Sequence, residues 1–114
     1  MNSTQTQIFL PFLKINHKTH KSICLQEVIM LRGEVNYTIM CLRNGENIMI
    51  AHTLKYFEDM LQQHGFLRVH RAFLVNPNYI LNYDSVGRTI EMDCNLLVQV
   101  SRRRVKEFND YWDS

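Results

Sequence analysis

The stretch with the most chemical potential in this chain is Ser101-Arg102-Arg103-Arg104. No acidic residue lies between Asn95 and Lys106, so nothing nearby in sequence neutralises these guanidinium groups. Ser101 is placed to cap a terminal helix whose buried stripe would be Val105, Phe108 and Trp112. A helix N-terminus favours anions, and each exposed cation in its first turn costs about 0.3–1 kcal/mol. A bound phosphate would remove the conflict, because arginine forks and free helix N–H groups both suit it. The bland alternative is a solvated run of charge.

A second candidate is the segment from Phe66 through Asn76. Leu67, Val69, Phe73 and Val75 share one strand parity, and Arg71 interrupts them. A straight strand would drive Arg71 into the core, where an unpaired charge is expensive. A bend at residues 70–72 is the cheaper solution and would present His70 and Arg71 to solvent. His70 could equally be a structural histidine bonded across strands. The third candidate is Gly33-Glu34-Val35-Asn36-Tyr37-Thr38. It reads as a loop entering a hairpin, on which Asn36 and Tyr37 could touch bases or phosphates.

Other chemistries find less support. His17, His20 and Cys24 have ligand types at close spacing, but no second cluster completes a set of four, so no metal is expected. His52, His64 and His70 lack a Ser or Cys nucleophile signature, and no Gly-rich phosphate loop is present. The sequence therefore reads as a non-enzyme with no cofactor and no small-molecule substrate. Its three cysteines, Cys24, Cys41 and Cys94, are odd in number and without CxxC spacing, which fits reduced thiols in a cytoplasmic protein. No apolar run approaches a membrane span and no signal peptide is visible. The formal net charge of +2 is small, so a nucleic-acid reading rests on where the charges sit rather than on their sum.

These residues must be positioned by elements that the pattern also predicts. A length of 114 residues with 46% apolar and 21% charged content suits one soluble domain able to bury its own core. Residues 1–8 read as a flexible N-terminal segment and residues 9–114 as the domain. Strands are expected at residues 8–15, with Pro11 marking an edge or bulge, then at 23–25, 28–32, 37–42 and 48–51. Asn44-Gly45 predicts a two-residue type I′ hairpin between the last two. Leu54, Phe57 and Leu61 fall at helical spacing, with Thr53 as cap and Gly65 as stop. Further strands are expected at 66–76, 79–84, 89–92 and 96–100. The fold class that follows is mainly β: several small antiparallel β-sheets with one short amphipathic helix and a C-terminal helix.

Taken together, the chain resembles the LytTR DNA-binding domain of bacterial transcription regulators over about residues 10–110. Glu27-Val28-Ile29-Met30-Leu31 followed by Asn36-Tyr37-Thr38 is similar to the family's early strand and Asn-Tyr-Thr loop. The helix segment from Thr53 to Leu61 resembles the family helix. Phe66 through Asn76 is similar to the motif FxRvHrSylVN, and Val98 through Arg104 to the terminal ipvSrrr. Ala72 departs from the usual Ser, and Asp93-Cys94-Asn95 from a common Asn-Gly hairpin.

The resemblance implies a response-regulator-like module that reads the major groove of double-stranded DNA with loops and strand ends. It assigns Asn36 and Tyr37 to a first contact loop, Arg71 with His70 to a second, and Arg102 with Arg103 to a third. Arg68 and Asn76 are taken as mainly structural. Family members are usually fused to a receiver or sensor domain, so the chain reads as a stand-alone regulator or an excised domain. Repeated half-sites on DNA would accommodate a homodimer. The rival class is a protein-interaction module that sets the same basic face against an acidic partner.

Overall fold

The computed structural model describes residues 12–16 and 21–114. The expected flexible N-terminus, Pro11, and the His17 and His20 of the weighed metal cluster lie outside the described residues. Strands β1 (Phe12–Asn16) and β2 (Lys21–Cys24) pair as a two-stranded sheet. The central sheet has five strands: β3 (Val28–Gly33), β4 (Thr38–Leu42), β5 (Asn47–Ile50), β6 (Leu67–His70) and β7 (Phe73–Val75), in the order β5-β4-β3-β7-β6. Strands β8 (Ile80–Asp84), β9 (Thr89–Met92) and β10 (Leu96–Gln99) form a third sheet, with β9 in the middle. All these pairings are antiparallel. Helices α1 (Leu54–Leu61) and α2 (Val105–Asp113) complete the mainly β fold that the pattern predicts.

The five-stranded sheet is covered on both faces, which explains why Val28, Ile29, Met30 and Leu31 are all buried. A sheet exposed on one face would show strict alternation; one covered on both reads as a continuous apolar run. One core collects Leu31, Met40, Leu42 and Leu74 against Leu54, Phe57 and Leu61 of α1. The other sets Ile29, Met30, Val69 and Val75 against Ile90, Met92 and Val98 of the third sheet and Phe108 of α2. Each such side chain contributes about 1.5–3 kcal/mol when fully buried. Helix α1 is capped as expected, with the Thr53 side chain accepting from the Tyr56 N–H at 3.4 Å.

Two local expectations need correction. The β4–β5 connection is not a two-residue type I′ turn. Only Gly45 has positive φ, at 93°, and its N–H donates to the Leu42 carbonyl at 3.0 Å. The Asn44 side chain instead accepts from the Glu46 N–H at 2.9 Å. This is the longer loop that places one glycine in the left-handed region. Two successive left-handed residues occur between β9 and β10, where Cys94 has φ 62° and Asn95 φ 60°.

The second correction concerns the terminal helix. It begins at Val105, and Ser101 does not cap it. Val100 is fully buried, its N–H donates to the Arg88 carbonyl, and the Ser101 N–H donates to the Val69 carbonyl at 2.9 Å. The chain is thereby tied down at Val100 and Ser101, and Arg102 to Arg104 form a separate turn, closed by Arg104 N–H to Ser101 O at 3.0 Å. Of the expected stripe only Phe108 is buried; Val105 is half-buried and Trp112 exposed, its ring lying over Phe108.

Gly33 closes β3 where α1 crosses it. A Cβ there would stand 2.9 Å from the Cβ of Leu54, itself buried. Gly33→Ala must push the start of α1 away and is expected to cost about 1–3 kcal/mol, the range for overpacking. A denaturant midpoint unchanged from the parent would contradict this close packing.

Candidate nucleic-acid interface

The second candidate segment folds as a strand, a bend and a strand. Strands β6 and β7 pair Arg68 with Leu74 and His70 with Phe73, which leaves Val69 as an extra, inward-facing residue of a bulge. Residues 71 and 72 make the turn, and Arg71 is exposed. The backbone thus resolves the conflict between Arg71 and the apolar parity by bending.

The turn is held from behind. The Ala72 N–H donates to His70 Nδ1 at 3.0 Å, and the Ala72 carbonyl accepts from the Gly33 N–H at 2.8 Å. Arg68 donates from Nε to the His70 carbonyl at 2.8 Å and from a terminal nitrogen to the Arg71 carbonyl. Its remaining nitrogen meets Glu58 Oε1 of α1 at 2.6 Å. Asn76 has the structural role expected of it: buried, it donates to the Val28 carbonyl at 2.9 Å and accepts from the Asn78 N–H at 3.1 Å.

The bond from Ser101 to the bulged Val69 brings the arginine turn beside this bend. One open groove results, lined by Lys55, Glu58, Arg68, His70, Arg71, Ser101, Arg103 and Arg104. Glu58 is the one acid in that lining and is engaged by Arg68. Arg71, Arg102, Arg103 and Arg104 make no salt bridge among the described residues. Like charges gathered in a concave site raise the local potential and attract an extended anion.

Of the sequence-derived residues, His70, Arg71 and Arg103 line the groove, while Arg102 is exposed on the same turn without lining it. Asn36 and Tyr37 do not line it. Their loop, closed by Glu34 N–H to Tyr37 O at 2.8 Å, follows directly from Gly33 and is fastened to the bend at Ala72. Asn36 is exposed and Tyr37 half-buried. Lys55 is a groove residue that the sequence does not single out, and Arg104, part of the first candidate stretch, lines the groove although the resemblance assigned it no contact. Lys55 carries no local signal beyond lying off the buried stripe of α1; only the tertiary fold brings it beside Arg71.

His70 accepts the Ala72 N–H on Nδ1, so its neutral form supports the turn. Partial burial, then Arg71, then Arg68 hold its pKa below the ordinary 6.5. The sign follows from linkage: the stabilisation is present above about 6.5, the ordinary value, and is lost as pH falls through the lower value of the folded state. A histidine NMR titration should find the His70 ring deprotonating at lower pH than an unstructured histidine. His70→Gln should also flatten the acid dependence of melting. A His70 titration at or above the ordinary value would contradict this role.

Among the described residues no group of three or more His, Cys, Asp and Glu could hold a metal ion, and no helix is long and apolar enough to cross a membrane. The model of the LytTr DNA-binding domain family matches residues 18–113. A solved structure similar to this one is the LytTr DNA-binding domain of a protein described as a methyl-accepting/DNA response regulator from Bacillus cereus. The two are 27% identical, with a TM-score of 0.65, over 82% of this chain and 88% of the other. A search of curated proteins finds no match.

Proposed function

The chain belongs to the LytTR family of DNA-binding domains, and on that premise we propose that it is a transcription regulator that recognises a particular duplex sequence, entering the major groove with loops and strand ends. The family is one of DNA-binding domains rather than enzymes. The observation that carries the reading is the groove in which Arg71, Arg103 and Arg104 converge without acidic partners of their own. Phosphate supplies the missing anions, and a duplex supplies them at regular spacing.

Roles divide by how each side chain is held. Arg71 projects from a turn fixed at its carbonyls, so it is suited to a bidentate contact with guanine O6 and N7. His70 can add only Nε2, since Nδ1 is engaged by Ala72. Asn36 and Tyr37 belong to a loop fastened to that same turn and would reach an adjacent part of the DNA major groove. Arg102 and Arg103 lie on a short exposed turn and suit phosphate, which fixes register without reading sequence. Two copies could occupy repeated half-sites.

The deciding experiment is a salt titration of binding to duplex oligonucleotides, with an acidic peptide in parallel. Neutralising Z phosphates should give a log–log slope of about −0.9Z. Arg102→Ala or Arg103→Ala should weaken preferred and scrambled duplexes alike and make the slope shallower by about 1. A slope indistinguishable from zero would remove the DNA reading, and tighter binding of the acidic peptide would favour a protein-interaction module.

A further inference from the structure

We infer that Arg68 is a positioning residue for sequence discrimination: by gripping the His70 and Arg71 carbonyls of the bend while anchored to Glu58, it fixes the direction in which Arg71 leaves the protein. The inference rests on the DNA-binding reading above and adds to it a role for the contact between α1 and β6.

The geometry leaves few other tasks for this side chain. The Arg68 side chain is only 13% exposed and that of Glu58 15%, so the pair forms a largely buried part of the groove floor. Arg68 directs Nε to the His70 carbonyl, one terminal nitrogen to the Arg71 carbonyl and the other to Glu58. Each carbonyl of the bend, at His70, Arg71 and Ala72, therefore has a donor, the last being the Gly33 N–H. With three successive carbonyls fixed, the peptide planes on either side of Arg71 cannot rotate freely, and its Cα–Cβ direction is set. A planar guanidinium can reach two carbonyls and a carboxylate in one plane; a lysine ammonium is a compact donor on a flexible stem and cannot reproduce that span.

Glu58 gives the arrangement an external anchor. It stands on α1, whose Leu54, Phe57 and Leu61 are locked into the core, so the carboxylate is referenced to the rigid body of the domain. Without it Arg68 would follow the bend instead of restraining it. A contact group must be held within fractions of an ångström for a bidentate base contact to form, and that is the task of buried supporting partners.

The test is Arg68→Lys, measured on preferred and scrambled duplexes at several salt concentrations, alone and in the Arg71→Ala background. Charge is conserved, so a role as one more cation predicts no change on either duplex. Positioning predicts roughly a tenfold fall on the preferred duplex, little change on the scrambled one and an unaltered salt slope. Because Arg68 acts through Arg71, the substitution should add no further loss of discrimination once Arg71 is alanine; such non-additivity marks coupled residues. Glu58→Gln should produce the same selective loss in milder form, since its amide oxygen can still accept from Arg68. Melting curves convert each affinity to a value per folded molecule.

Equal losses on both duplexes, or full additivity with Arg71→Ala, would overturn the inference while leaving the DNA reading intact. A purely structural role would lower the melting temperature without changing the ratio of affinities per folded molecule, and would also overturn it. Wild-type protein without salt-dependent binding would end the DNA reading, and this inference with it.

Discussion

Arg71→Ala is expected to reduce discrimination between the preferred duplex and a scrambled one by roughly five- to a hundredfold, the equivalent of about 1–3 kcal/mol for one bidentate base contact. Affinity for scrambled DNA should fall much less, because the groove keeps Lys55, Arg103 and Arg104. The expectation depends on the side chain being dispensable to the fold. Arg71 is exposed, makes no salt bridge among the described residues, and lends the turn its carbonyl rather than its guanidinium. Its alanine variant should therefore melt within about 0.5 kcal/mol of the parent, as surface substitutions away from special features usually do. Paired binding curves at several salt concentrations separate the outcomes. Equal losses on both duplexes would make Arg71 a phosphate contact, and a collapse in melting temperature would make it structural.

The bend that presents Arg71 was legible in the sequence because it resolves a conflict between two strong terms. Apolar parity demands that one face of the strand point inward, and a guanidinium cannot follow without a partner. Helix α1 was legible for a similar reason: three apolar residues at helical spacing, a threonine cap and a terminating glycine agree. The start of α2 was not, since Ser101 looks like a cap in isolation. Its N–H is taken by Val69, more than thirty residues earlier, and no local pattern encodes that bond.

The hairpins show the same limit. Asn44-Gly45 is a strong turn signal, yet only the glycine adopts positive φ, while Cys94, with no such preference, occupies the left-handed region. The pairing of β9 with β10, which sets Met92 opposite Leu96 across the turn, imposes that conformation and overrides residue preference. In the interface, the residue types at Arg71, Arg102 and Arg103 were visible as uncompensated charge. Lys55 and the Glu58–Arg68 pair were not, because an ion pair between a helix and the strand that follows it exists only once both have packed.

Removing the Phe108 ring should be among the most damaging single changes outside the central sheet. Phe108 is the one buried residue of α2, at 3% exposure, and its ring meets Tyr83 edge to face with centroids 4.7 Å apart. Phe→Ala at such sites costs about 3–5 kcal/mol, a large share of the roughly 5–15 kcal/mol that keeps a domain folded. For a chain of this size that should lower the melting temperature by more than about 10 °C. The loss reaches the groove as well. The Phe108 N–H donates to the Arg104 carbonyl at 3.0 Å, so the first turn of α2 continues directly from the arginine turn. With the helix undocked, Arg103 and Arg104 lose their fixed place, and binding to scrambled and preferred duplexes should weaken together even well below the melting temperature. Trp112, the sole tryptophan, lies over Phe108, so its fluorescence reports α2 separately from the circular dichroism of the sheets. In Phe108→Ala the fluorescence transition should precede the loss of sheet signal, whereas in the parent the two should coincide. Trp112→Ala, at a residue 40% exposed, should cost much less. If Phe108→Ala instead melts within about 1 kcal/mol of the parent with both signals coincident, α2 does not depend on this ring for its docking.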